Sequence, residues 1–148
     1  MRIYFDACCF GRPLDDLSHP VVELEARAVD LILAACATKG WDVVSGNIVS
    51  AELSKNRDPE KRDATLAIQQ AFTTVWIQAN DETLHRAADI EKAGFSSGDA
   101  LHLASAEHAG VDFFLSTDYP LLRKVVTLGC SFESLNPLEF VSRELTHD

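Results

Sequence analysis

The chain predicts an α/β fold, a three-layer α/β/α sandwich around a mostly parallel central sheet, on three observations. Short apolar runs rich in β-forming residues alternate with longer stretches of helical periodicity. The stretches between runs are long enough for the right-handed crossovers that parallel strands require. Hydrophobic residues at 47% and charged residues at 24% of 148 positions are the balance of an ordinary globular chain, and that length fits one domain spanning 1–148.

Residues 3–5 (Ile-Tyr-Phe) form the first strand, closed by Asp6, and a loop with Gly11, Pro13 and Pro20 follows. Val21, Leu24, Ala28, Leu31, Ile32 and Ala35 recur at the i, i+3, i+4 spacing of a helix burying that face, and Gly40 fits its C-terminal cap. Trp41 to Val44 is the second strand. Ser45 or Asn47 is expected to cap a helix through Ile48, Ala51 and Glu52 towards Asn56. Pro59 to Phe72 reads as a helix with Ala64, Ala67, Ile68 and Ala71 on one face, and Val75 to Ile77 as the third strand. Two helices follow, Asp81 to Lys92 closed by Gly94 and Ser96 to Ala109 closed by Gly110. Val111 to Leu115 is the fourth strand, Tyr119 to Leu128 a helix ending at Gly129, and Ser131 to Leu135 a weak last strand. Asn136, Pro137 and Glu139 read as the N-cap, first turn and capping-box acid of a terminal helix.

Composition narrows the function. No segment approaches the roughly 18 apolar residues of a membrane span, and Asp6 interrupts the stretch a signal peptide needs, so a cytoplasmic protein with no membrane partner is expected. Cys8, Cys9, Cys36 and Cys130 lack zinc-site spacing and read as free thiols. A net charge of −10 opposes a protein that grips nucleic acid by bulk charge. Bound divalent cations would neutralise part of it locally. Dinucleotide, Walker and hydrolase-elbow motifs are absent.

Four acids stand out: Asp6 ends the first strand, Glu52 lies on an early helix, Asp99 opens a later one, and Asp118 follows the fourth strand. They are separated by 46, 47 and 19 residues, so only tertiary structure can unite them. Taken singly, Asp99 fits a capping box with Ser96, Asp118 fits an N-cap before Pro120, and Glu52 fits a solvated helix face. Asp6 resists such a reading, because a carboxylate at the end of a buried strand needs a cation to offset its desolvation. In a parallel sheet all four elements meet the same edge, where ligands gather. His85, His102 and His108 read as surface or core histidines, since no His-x-x-x-His pair forms on one helix.

Ile-Tyr-Phe-Asp-Ala-Cys at 3–8, Ser-Ala-Glu-Leu at 50–53, Gly-Asp-Ala-Leu-His-Leu-Ala at 98–104 and Phe-Leu-Ser-Thr-Asp at 114–118 together resemble the signature blocks of PIN-domain ribonucleases, in particular VapC-type toxins of prokaryotic toxin–antitoxin pairs. The resemblance spans nearly the whole chain and implies a metal-dependent endoribonuclease on a PIN-like fold. Asp6 and Asp99 would be the principal Mg²⁺ or Mn²⁺ ligands, with Glu52 and Asp118 completing the site. It also implies a hydroxyl role for Ser116, an RNA substrate, a homodimer, and an antitoxin whose tail offers Arg to the acidic cleft. Arg12, Lys55 and Arg57 are candidates to hold substrate, Arg12 first among them. The competing readings are a noncatalytic PIN-like binding module and a DNA-directed nuclease with the same metal chemistry.

Overall fold

The structure, a computed structural model, describes residues 1–146; positions 147 and 148 of the expected domain lie outside the described residues. Five parallel strands, β1 (Arg2–Phe5), β2 (Asp42–Gly46), β3 (Val75–Ile77), β4 (Phe113–Leu115) and β5 (Glu133–Leu135), form one sheet in the order β3-β2-β1-β4-β5. β1 is therefore central, with Ile3 opposite Val43 on one side and Phe113 on the other. The order reverses between β1 and β4, and a crevice opens at such a switch point beyond the strands' carboxyl ends. The expected three-layer α/β/α architecture is borne out.

The helices are α1 (Ala7–Gly11), α2 (Pro20–Lys39), α3 (Asn47–Leu53), α4 (Pro59–Phe72), α5 (Asp81–Lys92), α6 (Ser97–His108), α7 (Tyr119–Val125) and α8 (Pro137–Phe140). Ile3, Tyr4, Phe5, Val43, Val44, Phe114 and Leu115 are buried, as a sheet covered on both faces requires. Phe113 and Trp41 meet Phe140 edge-on, at 5.1 and 6.2 Å between ring centres, which seats α8 on the sheet. Burying each large side chain of this core contributes about 1.5–3 kcal/mol. No helix among the described residues is long and apolar enough to cross a membrane.

Several boundaries and faces differ from expectation. A helix, α1, stands where a loop was expected, and a 3₁₀ turn (Arg12–Leu14) continues it. The buried side of α2 is Glu25, Ala26, Ala28, Val29, Ile32, Leu33 and Cys36, whereas Val21, Leu24 and Leu31 are exposed. Apolar residues surround this helix, so the period alone did not fix the inward face. On α4 the buried positions are Thr65 and Gln69, with Ala67 and Ala71 exposed, because Gln69 bonds to Ser45, Ser50 and the Gly46 carbonyl beneath it. β2 runs to Gly46, which caps α3 without a side-chain bond; the Asn47 carboxamide instead accepts from Trp76 Nε1 at 2.9 Å. The helix expected from Tyr119 to Leu128 tightens into a 3₁₀ turn after Val125. Gly40 does cap α2, at φ 70°, a backbone conformation that glycine adopts without strain.

Candidate metal centre

Asp6 leaves β1 and immediately caps α1. Its backbone N–H continues the strand ladder to Leu115 at 2.9 Å, while Oδ1 accepts from the Ala7 N–H at 2.9 Å. Oδ2 accepts from the Ser116 hydroxyl at 2.8 Å, and Ser116 Oγ in turn accepts from the Asp118 N–H at 3.1 Å. The Ser116 hydroxyl, fully buried, thus ties the end of β1 to the start of α7 across the switch point. Cys8 Sγ lies 3.6 Å from both Asp6 Oδ2 and Ser116 Oγ. The four cysteines are free: Cys9 and Cys36 are buried, Cys8 and Cys130 half-buried.

The remaining acids arrive from three other elements. Glu52 projects from α3, the helix that follows β2. Asp99 sits in the first turn of α6, whose cap is Ser96, accepting from the Asp99 N–H at 3.2 Å. Asp118 caps α7, accepting from the Leu121 N–H at 3.1 Å. The N-cap anticipated for Asp118 is therefore real, and of the capping box anticipated for Asp99 the Ser96 half forms, through the Asp99 N–H and not its carboxylate; all four acids still line one open cleft of about 550 Å³. Helix N-termini bring Asp6, Asp99 and Asp118 there, where the positive ends of the helix dipoles favour them, whereas Glu52 comes from the last turn of α3.

The inner part of the cluster is tighter. Ligand atoms of Asp6, Glu52 and His102 lie within 4.8 Å of one another, with the Asp99 and Asp118 carboxylates lining the cleft outside that set. His102 is 2% exposed; its Nε2 lies 3.5 Å from Glu52 Oε2 and 4.0 Å from Asp6 Oδ1, and its Nδ1 lies 2.7 Å from the Tyr4 hydroxyl. Sequence reasoning set His102 aside with the core histidines, and it is one. The overlooked signal was its spacing: Asp99 and His102 are three residues apart and share a face of α6.

The electrostatics follow from this packing. Burial pushes the Asp6 carboxyl upward, aided by the charge of Glu52 and opposed by His102 and by the Ser116 and Ala7 hydrogen bonds. Contact with His102 holds Glu52 below the ordinary carboxylate range, although partial burial works against it. Burial lowers the affinity of His102 for a proton, but Glu52, Asp6 and Asp99 outweigh it and the net shift is upward. A desolvated Asp6 with the Glu52 carboxylate beside it, and Asp99 and Asp118 along the same cleft, fits a hard divalent cation, which prefers such ligands.

The basic candidates separate. Lys55 and Lys61 line the cleft, Lys61 paired with Asp15, while Arg57 is exposed and not part of the lining. Arg12 donates to Asp15 at 2.8 Å and its Nε lies 3.2 Å from Glu25, a buried acid on α2.

No protein-family model matches this chain. No curated protein matches it either. Solved structures do share its fold over nearly its full length. VapBC2 from Rickettsia felis, bound to a DNA fragment from the promoter, is similar at TM-score 0.59 and 12% identity, covering 92% of this chain and 98% of that one. VapBC-1 from nontypeable Haemophilus influenzae is similar at TM-score 0.58 and 11% identity, over 93% and 98% of the two chains. FitAcB from Neisseria gonorrhoeae is similar at TM-score 0.57 and 14% identity, over 91% and 97%. At these identities the likeness establishes the fold, and it is the fold that the four sequence blocks implied.

Proposed function

We propose that this chain, as a single PIN-like domain, is a metal-dependent endoribonuclease acting as the toxin of a toxin–antitoxin pair. The observation that carries the reading is the meeting of Asp6, Glu52, Asp99 and Asp118 in one cleft at the sheet's switch point, from four elements distant in sequence. The likeness to VapBC complexes supports a cognate antitoxin partner. In this reading the protein works in the cytoplasm as a homodimer.

Asp6 and Asp99 would hold Mg²⁺ or Mn²⁺, with Glu52 and Asp118 completing the set. When bound, a divalent ion supplies acidification of water and neutralisation of charge on the phosphate undergoing attack. The chain supplies the rest. Ser116 and the Ala7 N–H fix the Asp6 carboxylate so that its oxygens do not rotate. Lys55 at the rim meets the RNA backbone, and the half-exposed Glu52 side chain, at 48%, leaves that side open to a single strand. No Ser, Cys or His nucleophile is needed. Ser116 is hydrogen-bonded to Asp6, and Arg12 is ion-paired with Asp15 and Glu25, so Lys55 is the first choice for RNA contact.

An RNA cleavage assay across divalent metals, run beside calorimetric melting, tests the proposal. The protein should cut RNA only with Mg²⁺ or Mn²⁺, and at a concentration a hundredfold above its dissociation constant the ion should add about 2.7 kcal/mol of stability. Asp6→Asn should lose about a hundredfold or more in cleavage, since even the outer partners of metal ligands cost about 10–100-fold and a ligand itself costs more. Stabilisation by metal without cleavage would point to a noncatalytic module, cleavage of DNA alone to the other nuclease class. Full activity in Asp6→Asn overturns the assignment.

A further inference from the structure

We infer that Tyr4 and His102 form a relay whose work is to hold the Glu52 carboxylate beside Asp6, ready for a cation, with His102 Nε2 as a donor and not as a ligand. The inference rests on the reading of the cleft as a metal centre. Tyr4 is 1% exposed and stacked on Phe114 at 5.4 Å and 14°, with its ring edge-on to His102 at 5.9 Å and 75°. Its hydroxyl has one partner among the described residues, His102 Nδ1 at 2.7 Å. With the ring neutral the buried hydroxyl donates to Nδ1, and with the ring charged both nitrogens carry protons, so Nε2 is a donor in either form. Nε2 faces Glu52 Oε2 at 3.5 Å and Asp6 Oδ1 at 4.0 Å.

The Nε2 proton decides the role. A protonated Nε2 has no lone pair for a metal, but its N–H offsets the repulsion between two converging carboxylates and steers their oxygens inward. Asp6 has two other anchors, Ser116 and Ala7. Glu52 has no such anchor among the described residues: it is half exposed on a seven-residue helix, and apart from the nearby charge of Lys55 its carboxylate is held by His102. Without the relay Glu52 would swing into water, because a long side chain gains rotamer entropy there.

Mn²⁺ is the probe, titrated by calorimetry into the full chain and into His102→Ala, His102→Gln and Tyr4→Phe, with spin-echo spectroscopy of the bound ion. The relay predicts a dissociation constant raised by about 10–100-fold in His102→Ala, about tenfold in Tyr4→Phe, and largely restored in His102→Gln, whose amide donates from the Nε2 position. Cleavage by each variant should recover at saturating Mn²⁺, and the ion should show no nitrogen coupling. Tyr4→Phe removes one atom and carries the test if His102→Ala does not fold. Nitrogen coupling that disappears in His102→Gln, or equal Mn²⁺ affinity in all four proteins, overturns the relay while the metal centre stands. Failure of the unaltered chain to bind Mn²⁺ overturns both.

Discussion

Replacing Arg12 with Ala should destabilise the protein. The guanidinium faces Glu25, which is 1% exposed and whose Oε2 also accepts from the Tyr119 hydroxyl at 3.1 Å and from Asn136 Nδ2 at 2.5 Å. Arg12 Nε is 3.2 Å from Glu25 Oε1 without directing its hydrogen there, so the contact is ionic more than a directed bond. These groups tie the turn after α1 to α2, α7 and α8. Stripping the cation from a buried pair costs about 3–5 kcal/mol, because the other charge is left uncompensated. Two neutral donors remain on Glu25 and the Arg12 side chain is 20% exposed, so water enters and the expected loss falls to about 2–3 kcal/mol. For a chain of this size that is roughly 5–10 °C in melting temperature. The double replacement Arg12→Met with Glu25→Met removes both charges but leaves the buried Asn136 amide without its acceptor, so it should cost less than Glu25→Met and Arg12→Met added together while staying about 1–3 kcal/mol below the parent. Denaturant unfolding of the parent, both single variants and the double variant gives the coupling directly. A melting point for Arg12→Ala within a degree or two of the parent refutes the argument.

Two further predictions concern the centre itself. A Cβ on Gly46 would lie 2.0 Å from the Ile77 carbonyl oxygen, so Gly46→Ala must push β2 from β3 at the origin of α3. It should lose about 1–3 kcal/mol or more and weaken the stabilisation by divalent ions, and unchanged melting would contradict the close approach. Without metal, stability should fall as pH rises through neutrality. His102 is raised above its ordinary 6.5 in the fold, so the folded chain keeps a proton that the unfolded chain has lost; its contribution is complete below 6.5 and vanishes through the higher folded value. At acid pH, Asp6 and Glu52 shift in opposite directions, so Asp6 loses stability as pH rises and Glu52 as pH falls. The neutral slope should flatten in His102→Gln, and an equal slope there would assign it elsewhere.

The strands and most helices were legible because short apolar runs and strong caps such as Ser96 and Asn136 are local signals. α1 was not, because Ala-Cys-Cys-Phe-Gly has little helix propensity and the helix exists through its Asp6 cap and its packing. The inward faces of α2 and α4 were misread for a related reason: Glu25 and Gln69 are buried polar residues whose partners come from other elements, and hydrophobic periodicity counts such residues as outward. The acids were legible as a group through their strand and helix ends. His102 was not, since one histidine in an apolar helix looks the same whether its neighbour is Tyr4 or solvent.

The strand order has a temporal consequence. Ribosomes deliver about 5–20 residues per second, and local units can form as they emerge. β1, β2 and β3 can assemble early, but the other neighbour of β1 is β4, where Phe113 comes to lie opposite Ile3. Asp118 and the Ser116 that clasps Asp6 emerge later still. If the cleft cuts RNA, a nascent chain is harmless for most of its synthesis, and a product terminated before Asp118 lacks an acid of the cleft and with it the means to attack the message it was read from.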